Sequence, residues 1–448
     1  MKKIILLFII SISFQCSIAQ NVGIGTLNPT ARLHIADSNV LFSAAKDLPL
    51  VIANPPASGA GRRMMWYADK GAFRAGLAMV NEWDKDSIGN YSFAAGSNVK
   101  AKGIGSFVGG GGSEAIGVYS VALGRYALAM KDYSFAVGYD ALANGHGAIA
   151  IGDDATALTT YSIAIGADSR ASGFSSTAFN SSVAIGNYSS AYGENSVAKA
   201  FKSTTIGANN DTIPGASATE WIPTDPLLIV GNGTQFYDRR NALVILKNGF
   251  TGIGTSTPAA KLHINGDFSS PVPQLMIEEN TNDYARLSFK NANTNNLWTL
   301  AGYPHTSTAT AQFNIFFQGV GDILKVFGNG NATLMGTLTQ NSDSRLKKNV
   351  RSVDHSLAAL QTLGGYRYEW KDNQRDPSVQ IGLLAQEVKQ VFPELVHEDE
   401  KGTLSVNYSG LIPVLVNAIK EEAQKIEKLE TQNKQLLERI ERLEKLIL

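Results

Sequence analysis

Two segments of the chain carry a Gly-x-Gly pattern, which in other proteins can cradle a phosphate group. Residues 22–35 and 251–264 repeat the same order of Gly-Ile-Gly-Thr, a proline and Leu-His-Ile. A phosphate loop needs a buried strand before it, a helix after it and a third glycine. Neither segment has these features. Each is therefore predicted to form a glycine-rich turn, a proline-marked bend and a short strand.

Histidines, cysteine and carboxylates give no pattern typical of a metal or enzyme site. The six histidines are scattered, and His34 and His263 of the repeated segments are predicted to be packing residues rather than metal ligands. The single cysteine excludes a disulfide framework and a cysteine-built zinc site. No paired carboxylates or histidine-centred cluster stand out in residues 20–341. No metal and no cofactor is predicted.

The charges indicate where the chain changes character. It has 39 basic and 39 acidic residues, so its net charge gives no reason to expect nucleic acid or an anionic membrane as partner. Of the 107 residues from Ser342 onward, 33 are charged, against 45 of the preceding 341. We therefore predict a boundary after residue 341, between a glycine- and serine-rich body and a charge-rich tail.

Residues 1–19 are predicted to be a secretory signal peptide. Two lysines follow Met1, residues 4–12 are apolar except for one serine, and Ser17 and Ala19 are small residues at a cleavage site. The apolar run is too short to span a bilayer, and no later segment is apolar enough to do so. We expect export to the cell surface or the extracellular space, with the periplasm as the alternative.

A 14-residue repeat fills the middle of the chain. Each unit is predicted to form a five-residue strand, with apolar side chains such as Phe93, Val121, Phe135, Ile149 and Ile163 on one side and Ser and Ala on the other. One coil buries little surface, so neighbouring coils must stack into a solenoid with parallel ladders. A coil of this length is too thin for a large apolar core. The repeated positions are Gly96, Gly110, Gly124, Gly138, Gly152 and Gly166, then Asn180, after which the register is predicted to jump by six and resume at Ser182.

Residues 87–207, which contain this repeat, resemble the head of YadA-type trimeric bacterial adhesins. The resemblance implies a left-handed parallel β-roll, three associated chains and a head that presents a binding surface. The flanking residues 20–86 and 208–341 are predicted to be β-rich, the second as a neck of the fibre. Exposed aromatic residues in these flanks could contact sugars, although packing within the fibre is the favoured interpretation.

The first part of the tail, residues 342–412, contains a series of short motifs in a recognisable order. It opens with Ser342-Asp-Ser-Arg-Leu-Lys347, continues with a helical stretch and strand-like segments, and leads into a long helix from about Leu411. This order resembles the self-cleaving intramolecular chaperone domain at the C-terminus of phage endosialidases and tail fibres. The resemblance implies a small α+β domain that assists trimer assembly.

The same resemblance implies that the chain cuts itself once, between Asn341 and Ser342, with Ser342 as nucleophile and Lys347 as base. A lysine with a pKa of about 10.4 is a poor base at neutral pH. Burial lowers a lysine pKa by up to about 3–5 units, so a desolvated Lys347 could accept the proton. A turn or a neighbouring chain must bring the two residues together. Alternatively, Ser342 and Asp343 only cap a helix, and Lys347 is a solvated charge.

Residues 413–448 are predicted to form a coiled coil. Isoleucines at the a positions, leucines at most d positions and a buried Asn433 favour two chains, whereas Leu437 and Leu446 widen the apolar face. The alternative is a single amphipathic helix packed on its own domain. The predicted a positions are Ile419, Ile426, Asn433, Ile440 and Ile447, and the d positions are Leu415, Glu422, Leu429, Leu436 and Leu443.

Together these features predict a secreted or cell-surface homotrimeric fibre of mainly β structure. A β-roll head would present a binding surface, with a surface glycan or a host ligand as its partner. The C-terminal domain would assemble the trimer and cut itself once, with no multiple-turnover activity. A phage tail-fibre or tail-spike protein is the alternative, although a signal peptide is out of place in a protein assembled in the cytoplasm. A glycan-cleaving enzyme is a third possibility.

Overall fold

The computed structural model describes residues 21–266 and 272–447, so the predicted signal peptide lies outside the described residues. The chain divides into two compact units, the first ending at Gln274 and the second beginning at Leu275. Both are rich in β-structure, and the α-helices of the described residues lie in the second unit. The predicted mainly β class is therefore confirmed, whereas the finer domain boundaries stay predictions.

The first unit contains a β-solenoid built on two sheets. Each coil gives one strand to a 15-stranded major sheet and one two-residue strand to an eight-stranded minor sheet. Neighbouring coils pair in parallel, as in the ladder that joins Phe135–Tyr139 to Val121–Arg125. The major sheet consists of Gly61–Tyr67, Ala72–Ala78, Phe93–Ser97, Phe107–Gly111, Val121–Arg125, Phe135–Tyr139, Ile149–Ile151, Ile163–Ile165, Thr177–Phe179, Ser190–Tyr192, Thr204–Ala208, Pro226–Asn232, Asn241–Leu246, Thr251–Ile253 and Leu262–Ile264. The minor sheet consists of Lys100–Ala101, Glu114–Ala115, Leu128–Ala129, Leu142–Ala143, Thr156–Ala157, Arg170–Ala171, Val183–Ala184 and Val197–Ala198.

The core of the solenoid is filled by alanine and serine. Ala122 and Ala136 of the major strands are fully buried, as is Ala129 of the minor strand between them. Serine hydroxyls in the core donate to backbone carbonyl oxygens, either three residues earlier, as Ser120 does to Gly117 at 2.6 Å, or in the next coil, as Ser182 does to Ala191 at 2.8 Å. These hydroxyls are therefore satisfied, as buried polar groups must be. The larger apolar side chains of the major strands point outward and are half-buried, as the alternating pattern predicted.

A column of glycines lets successive coils lie close together at the end of each major strand. Gly96 has a φ of +140°, and a Cβ atom there would collide with the carbonyl oxygen of Gly110 in the next coil. Gly124 repeats this arrangement against Gly138. Only glycine combines this backbone conformation with such a close approach.

The predicted six-residue jump of register after Asn180 is wrong. Ala178 pairs with Ala191 in the major sheet, and Ala171 pairs with Ala184 in the minor sheet. The coil is therefore 13 residues long at this point, one shorter than the 14-residue coils on either side of it. Ser-x-Ala faces inward in both kinds of strand, so Ser182 looks like the start of a major strand but precedes a minor one.

The first coils of the solenoid hold larger side chains than the rest. Arg74 is fully buried, and its guanidinium donates to the Ser92 hydroxyl at 2.8 Å and to the Ala101 carbonyl at 3.0 Å. This burial lowers the pKa of Arg74 to about 10. Trp83 is also fully buried and donates its indole N–H to the Val99 carbonyl at 3.0 Å. Trp83 is thus a packing residue, in line with the interpretation that the sequence favoured.

The two Gly-x-Gly segments form the same structure. Val22–Ile24 pairs in parallel with Leu33–Ile35, and Thr251–Ile253 pairs in parallel with Leu262–Ile264. In each segment the histidine accepts a hydrogen bond at Nδ1 from a backbone N–H four residues earlier, at 3.2 Å for His34 and 3.3 Å for His263. The predicted turn and short strand are confirmed, and both histidines hold the turn.

The second unit combines a five-stranded antiparallel sheet, called here the neck sheet, with the charge-rich tail. Two side-chain bonds join them: Thr308 donates to the Gln374 carbonyl at 2.7 Å, and Asn331 donates to the Asp376 carboxylate at 2.8 Å. The neck sheet consists of Ala285–Phe289, Trp298–Tyr303, Gln312–Phe317, Gly321–Phe327 and Ala332–Leu334. The tail contains helices α1 (Ser356–Leu360), α2 (Ala385–Val391) and α3 (Leu411–Ile447), and the strand pairs Tyr366–Tyr368 with Gln380–Gly382 and Val396–Glu398 with Leu404–Val406.

Candidate functional site

The structure brings together the two residues to which the sequence assigned the chemistry. Lys347 Nζ donates a hydrogen bond to Ser342 Oγ across 2.6 Å. Asn341, on the other side of the predicted cleavage point, immediately precedes this pair. All three residues are exposed in the single chain. The contact lies within the range at which a nucleophile and its base exchange a proton.

A tight turn makes this contact possible despite the spacing of five residues. Ser344–Leu346 forms one turn of 3-10 helix, capped by the Asp343 side chain, which accepts from the Arg345 backbone N–H at 2.9 Å. The Arg345 guanidinium also donates to the Asp343 carboxylate, at 2.6 Å from Nη2. These bonds hold the pKa of Asp343 below its usual value, with the Arg345 side chain as the main cause.

The two interpretations that the sequence left open therefore each describe part of the geometry. Asp343 does cap a helical turn, and Lys347 is exposed, as the alternative required. Lys347 is nevertheless bonded to Ser342 within the same chain, and no neighbouring chain is needed for the contact. The positioning roles of Asp343 and Arg345 were missed, although the order Ser-Asp-x-Arg-Leu-Lys contains both residues.

Helix α3 anchors the domain that follows the site. Leu411 and Val414 on its first turns are buried against Val388 and Phe392 from α2 and its end. Further along α3, the Glu421 carboxylate accepts from the first backbone N–H groups of α1, at 3.0 Å each. Those N–H groups have no partner within the helix, so a carboxylate from another element is well suited to cap them.

A second carboxylate fixes the loop between α1 and the first tail strand. Glu387 on α2 accepts from the Gly364 backbone N–H at 3.1 Å and from the Tyr366 hydroxyl at 2.6 Å. The bond from Tyr366 lowers the pKa of Glu387, and the same bond raises the pKa of Tyr366. These contacts join α3 to α1 and α2 to the loop after α1. The tail is therefore an α+β domain with its own small apolar core.

The rest of α3 leaves its apolar side chains uncovered. Ala418 is the last buried residue between Leu411 and Leu446, and the predicted apolar a and d residues from Ile419 to Leu443 are about half exposed or more. Ile426 is 50% exposed and Leu443 is 58% exposed. The single-helix alternative therefore holds only for the first turns of α3. Elsewhere the seam lacks any cover from the described part of its own chain.

The described residues contain neither a cluster of metal ligands nor a helix that could cross a membrane. In 21–266 and 272–447, no group of three or more histidine, cysteine, aspartate and glutamate side chains is arranged to hold a metal ion. Within the same residues, no helix has the length and apolar character needed to cross a membrane.

Comparison with known protein families agrees with both resemblances. Residues 342–397 match the family described as chaperone of endosialidase, which is classed among the peptidases. The YadA head domain repeat matches at residues 115–141, 143–169 and 180–198. The first match begins at Ser342 itself, and the others lie within the solenoid.

Curated relatives include several phage proteins. The chain is 33% identical over 115 residues to the long tail fiber protein Gp37 of Salmonella phage S16, which is 24% of this chain and 15% of that protein. It is 30% identical over 111 residues to the Gp37 of Enterobacteria phage Ox2, which is 23% of this chain and 43% of that protein. The chain thus spans less than half the length of each. It carries YadA head repeats in its first unit and a chaperone-of-endosialidase domain that begins at Ser342.

Proposed function

We propose that the chain forms a homotrimeric fibre at the cell surface or outside the cell, assembled by its C-terminal domain. The observation that carries the proposal is a set of uncovered apolar surfaces on one chain. One lies on the solenoid, one on the neck sheet and one on α3. Monomeric soluble proteins rarely leave large apolar patches exposed, so repeated patches indicate association.

The neck sheet has the clearest of these surfaces. Its register places Leu287, Leu300, Ile315 and Leu324 in one row across four strands, with a neighbouring row that includes Trp298. Exposed fractions of 43% for Leu287 and 45% for Trp298 leave this face open. A sheet with one apolar face needs another layer against it. Other copies of the chain would supply that layer.

The outward side of the solenoid also carries a row of apolar side chains. Phe73, Phe93 and Phe107 stack in a row along successive major strands, with ring centroids 5.4 and 4.8 Å apart. The equivalent positions in later coils hold half-buried Val121 and Phe135. Since the interior contains only alanine and serine over most of its length, packing between chains is the remaining way to bury larger apolar groups.

The tail is suited to act as the assembly domain. Chains with parallel ladders and long-range strand pairing fold slowly and pass through aggregation-prone intermediates. A seam on α3 that associates early would raise the local concentration of the chains. The heptad residues with Asn433 favour two chains, whereas the head repeats and the tail resemble trimeric proteins. We propose three chains.

Self-cleavage would follow assembly. The Ser342 hydroxyl oxygen attacks the carbonyl carbon of Asn341, and its proton passes to a neutral Lys347 amine. The peptide C–N bond breaks, the Ser342 nitrogen takes a proton from Lys347, and an ester remains. Water then hydrolyses the ester, which leaves a carboxylate on Asn341 and restores the hydroxyl. The 2.6 Å contact supports these roles, and a neighbouring chain that covers Lys347 would favour the neutral amine.

The proposal is tested by measuring the mass of the assembly. Full-length protein with Ser342→Ala keeps its chains intact, so light scattering should give three chains of the mature protein. Protein truncated after residue 341 should give monomer or aggregate. A mass of one or two chains would overturn the trimer. A soluble, protease-resistant trimer from the truncated protein would overturn the assembly role of the tail.

A phage tail-fibre protein is the second candidate, favoured by the similarity to the Gp37 proteins. The predicted signal peptide favours export instead. N-terminal sequencing of the protein made in cells separates the two. A mature chain that begins at Gln20 supports the exported fibre, and a chain that retains residues 1–19 supports the phage protein.

A further inference from the structure

The neck sheet has a polar face opposite its apolar one, and this face holds a cavity of about 380 Å³. Cavities of this size are within the range of small-molecule sites. Its walls come from four neighbouring parts of the sheet, so side chains of different strands converge on it. Its lining includes Tyr284, Ser288, Thr299, Asn314, Phe316 and Asp322.

Asn314 is the most buried of the residues that line the cavity. It is only 3% exposed, and its side-chain N–H donates to Asp322 Oδ1 at 3.0 Å. Because a carboxylate only accepts, this bond sets the orientation of the amide. The amide oxygen, Oδ1, then has no hydrogen-bond partner among the described residues, although it is buried. A buried acceptor without a partner is unfavourable, so a donor from a ligand would be stabilising.

Hydroxyl and aromatic groups surround this amide. Ser288 Oγ and Thr299 Oγ1 lie 2.9 Å apart, and either hydroxyl can be the donor. Together they keep donor and acceptor capacity for a third group. The rings of Tyr284 and Phe316 supply apolar wall. The cavity therefore offers hydroxyl, amide and carboxylate oxygens next to aromatic surface.

The charges near the cavity are already neutralised. Asp322 forms an ion pair with Lys325 at 2.9 Å, and Arg286 forms one with Asp283 at 2.6 Å. Neither cation is left to attract an anionic ligand, and the one lining carboxylate is paired. The chemistry fits a neutral ligand that has several hydroxyl donors and an apolar side.

We propose that this cavity is a binding site for a neutral saccharide. Sugar hydroxyls would donate to Asn314 Oδ1 and exchange hydrogen bonds with Ser288 and Thr299. The C–H face of a sugar ring would lie against Phe316, since Arg286 and Tyr303 already pack on the Tyr284 ring. The inference rests on the proposed fibre in one respect: copies packed on the apolar face leave the polar face toward solvent.

The test uses the full-length assembled protein on an array of neutral mono- and oligosaccharides, followed by titration calorimetry with the best binder. Wild-type protein should bind at least one of these sugars. Asn314→Ala and Ser288→Ala should each weaken the affinity about tenfold or more, the effect of losing one good hydrogen bond. Asn293→Ala removes an exposed amide of the same unit, outside the cavity, and should leave the affinity unchanged. Ser288 is exposed, so its variant is expected to fold even if Asn314→Ala does not.

Light scattering on the same samples separates the inference from the proposed function. A trimer that binds no neutral saccharide would overturn the saccharide site alone. A monomer that binds one through Asn314 and Ser288 would overturn the fibre alone. Binding that is unchanged in both cavity variants would place the site elsewhere and overturn the proposal.

Discussion

Lys347 Nζ and Ser342 Oγ lie 2.6 Å apart on the surface of a single chain, across a turn that Asp343 and Arg345 hold closed. The contact therefore forms before any neighbour is present. A neighbouring chain would shield the Lys347 amine from water. The geometry of the pair and its protonation can thus be tested separately.

The first prediction concerns the pair itself. Ser342→Ala should abolish cleavage after Asn341, because the attacking oxygen is removed. Lys347→Ala should slow it by about 10²–10⁴-fold, the usual contribution of a positioned base. Gel electrophoresis and intact mass measurement of the assembled protein report both effects.

Lys348 gives the matched control, since it is an adjacent exposed lysine that forms no side-chain bond among the described residues. Lys348→Ala should be cut at the wild-type rate. Wild-type chains that stay intact after complete assembly would end the proposal of self-cleavage, and so would unchanged cutting of Ser342→Ala.

The second prediction concerns the seam of α3. Ile426→Asp would place a carboxylate in the middle of the apolar contact between chains. Burial of an unpaired charge is strongly unfavourable, so the assembled mass should fall to that of single chains. Gln424→Asp adds the same charge two residues earlier, away from the predicted a and d positions, and should assemble normally. Equal masses for the two variants by light scattering would argue against the seam.

The third prediction links assembly to cleavage through pH. If other chains must cover Lys347, the unassembled Ile426→Asp variant should cut slowly at neutral pH. Alkaline buffer deprotonates amines without burial, so the rate should rise as the pH is raised toward about 10. The assembled protein should depend on pH less steeply over this range. If the unassembled Ile426→Asp variant cuts at the wild-type rate at pH 7, burial of Lys347 by other chains is unnecessary for cleavage.

The fourth prediction concerns the contact between α3 and α1. Glu421→Ala removes the carboxylate that caps Ser356 and Leu357, with an expected loss of about 1–2 kcal/mol of local stability. Hydrogen exchange of the α1 amides should accelerate about 5–30-fold. Glu427→Ala, an exposed glutamate on the same helix, should leave that exchange unchanged. Equal exchange in the two variants would contradict the capping role.

The fifth prediction concerns the thin core. Ala136 is fully buried between Ala122 and Ala150 of the adjacent coils. Leucine there would overpack the interior, with an expected cost of about 1–3 kcal/mol or more per chain. Thr156→Leu introduces the same leucine side chain on the outside, where the preceding coil already holds Leu142. Limited proteolysis should cut the Ala136→Leu protein faster than the Thr156→Leu protein.

Much of the solenoid was predictable because a repeat fixes many positions at once. Ser, Ala and Gly kept one register over several coils, and this determined which side chains point inward. The 13-residue coil was not predictable from the amino-acid sequence alone. Ser182-Val183-Ala184 has the inward pattern of either strand type, and only its pairing with Arg170–Ala171 decides between them.

The site was predictable in its residues but not in its geometry. A motif that matched a known domain named Ser342 and Lys347, whereas their spacing gave no reason for contact on a regular helix. The contact depends on a capped 3-10 turn, which involves hydrogen bonds from Asp343 and Arg345. The buried Arg74 was also missed, because nothing in the sequence marks an arginine whose partners are carbonyl groups of later coils.

The alanine and serine interior has a consequence for how such a molecule changes over generations. Every coil presents its neighbours with nearly the same small side chains, so one coil can stack on almost any other. Duplication or loss of a whole coil would lengthen or shorten the solenoid by one strand spacing, about 4.8 Å. The packing between coils would stay the same. The length of the solenoid would then vary in small, equal increments, while the segments before and after it stay unchanged.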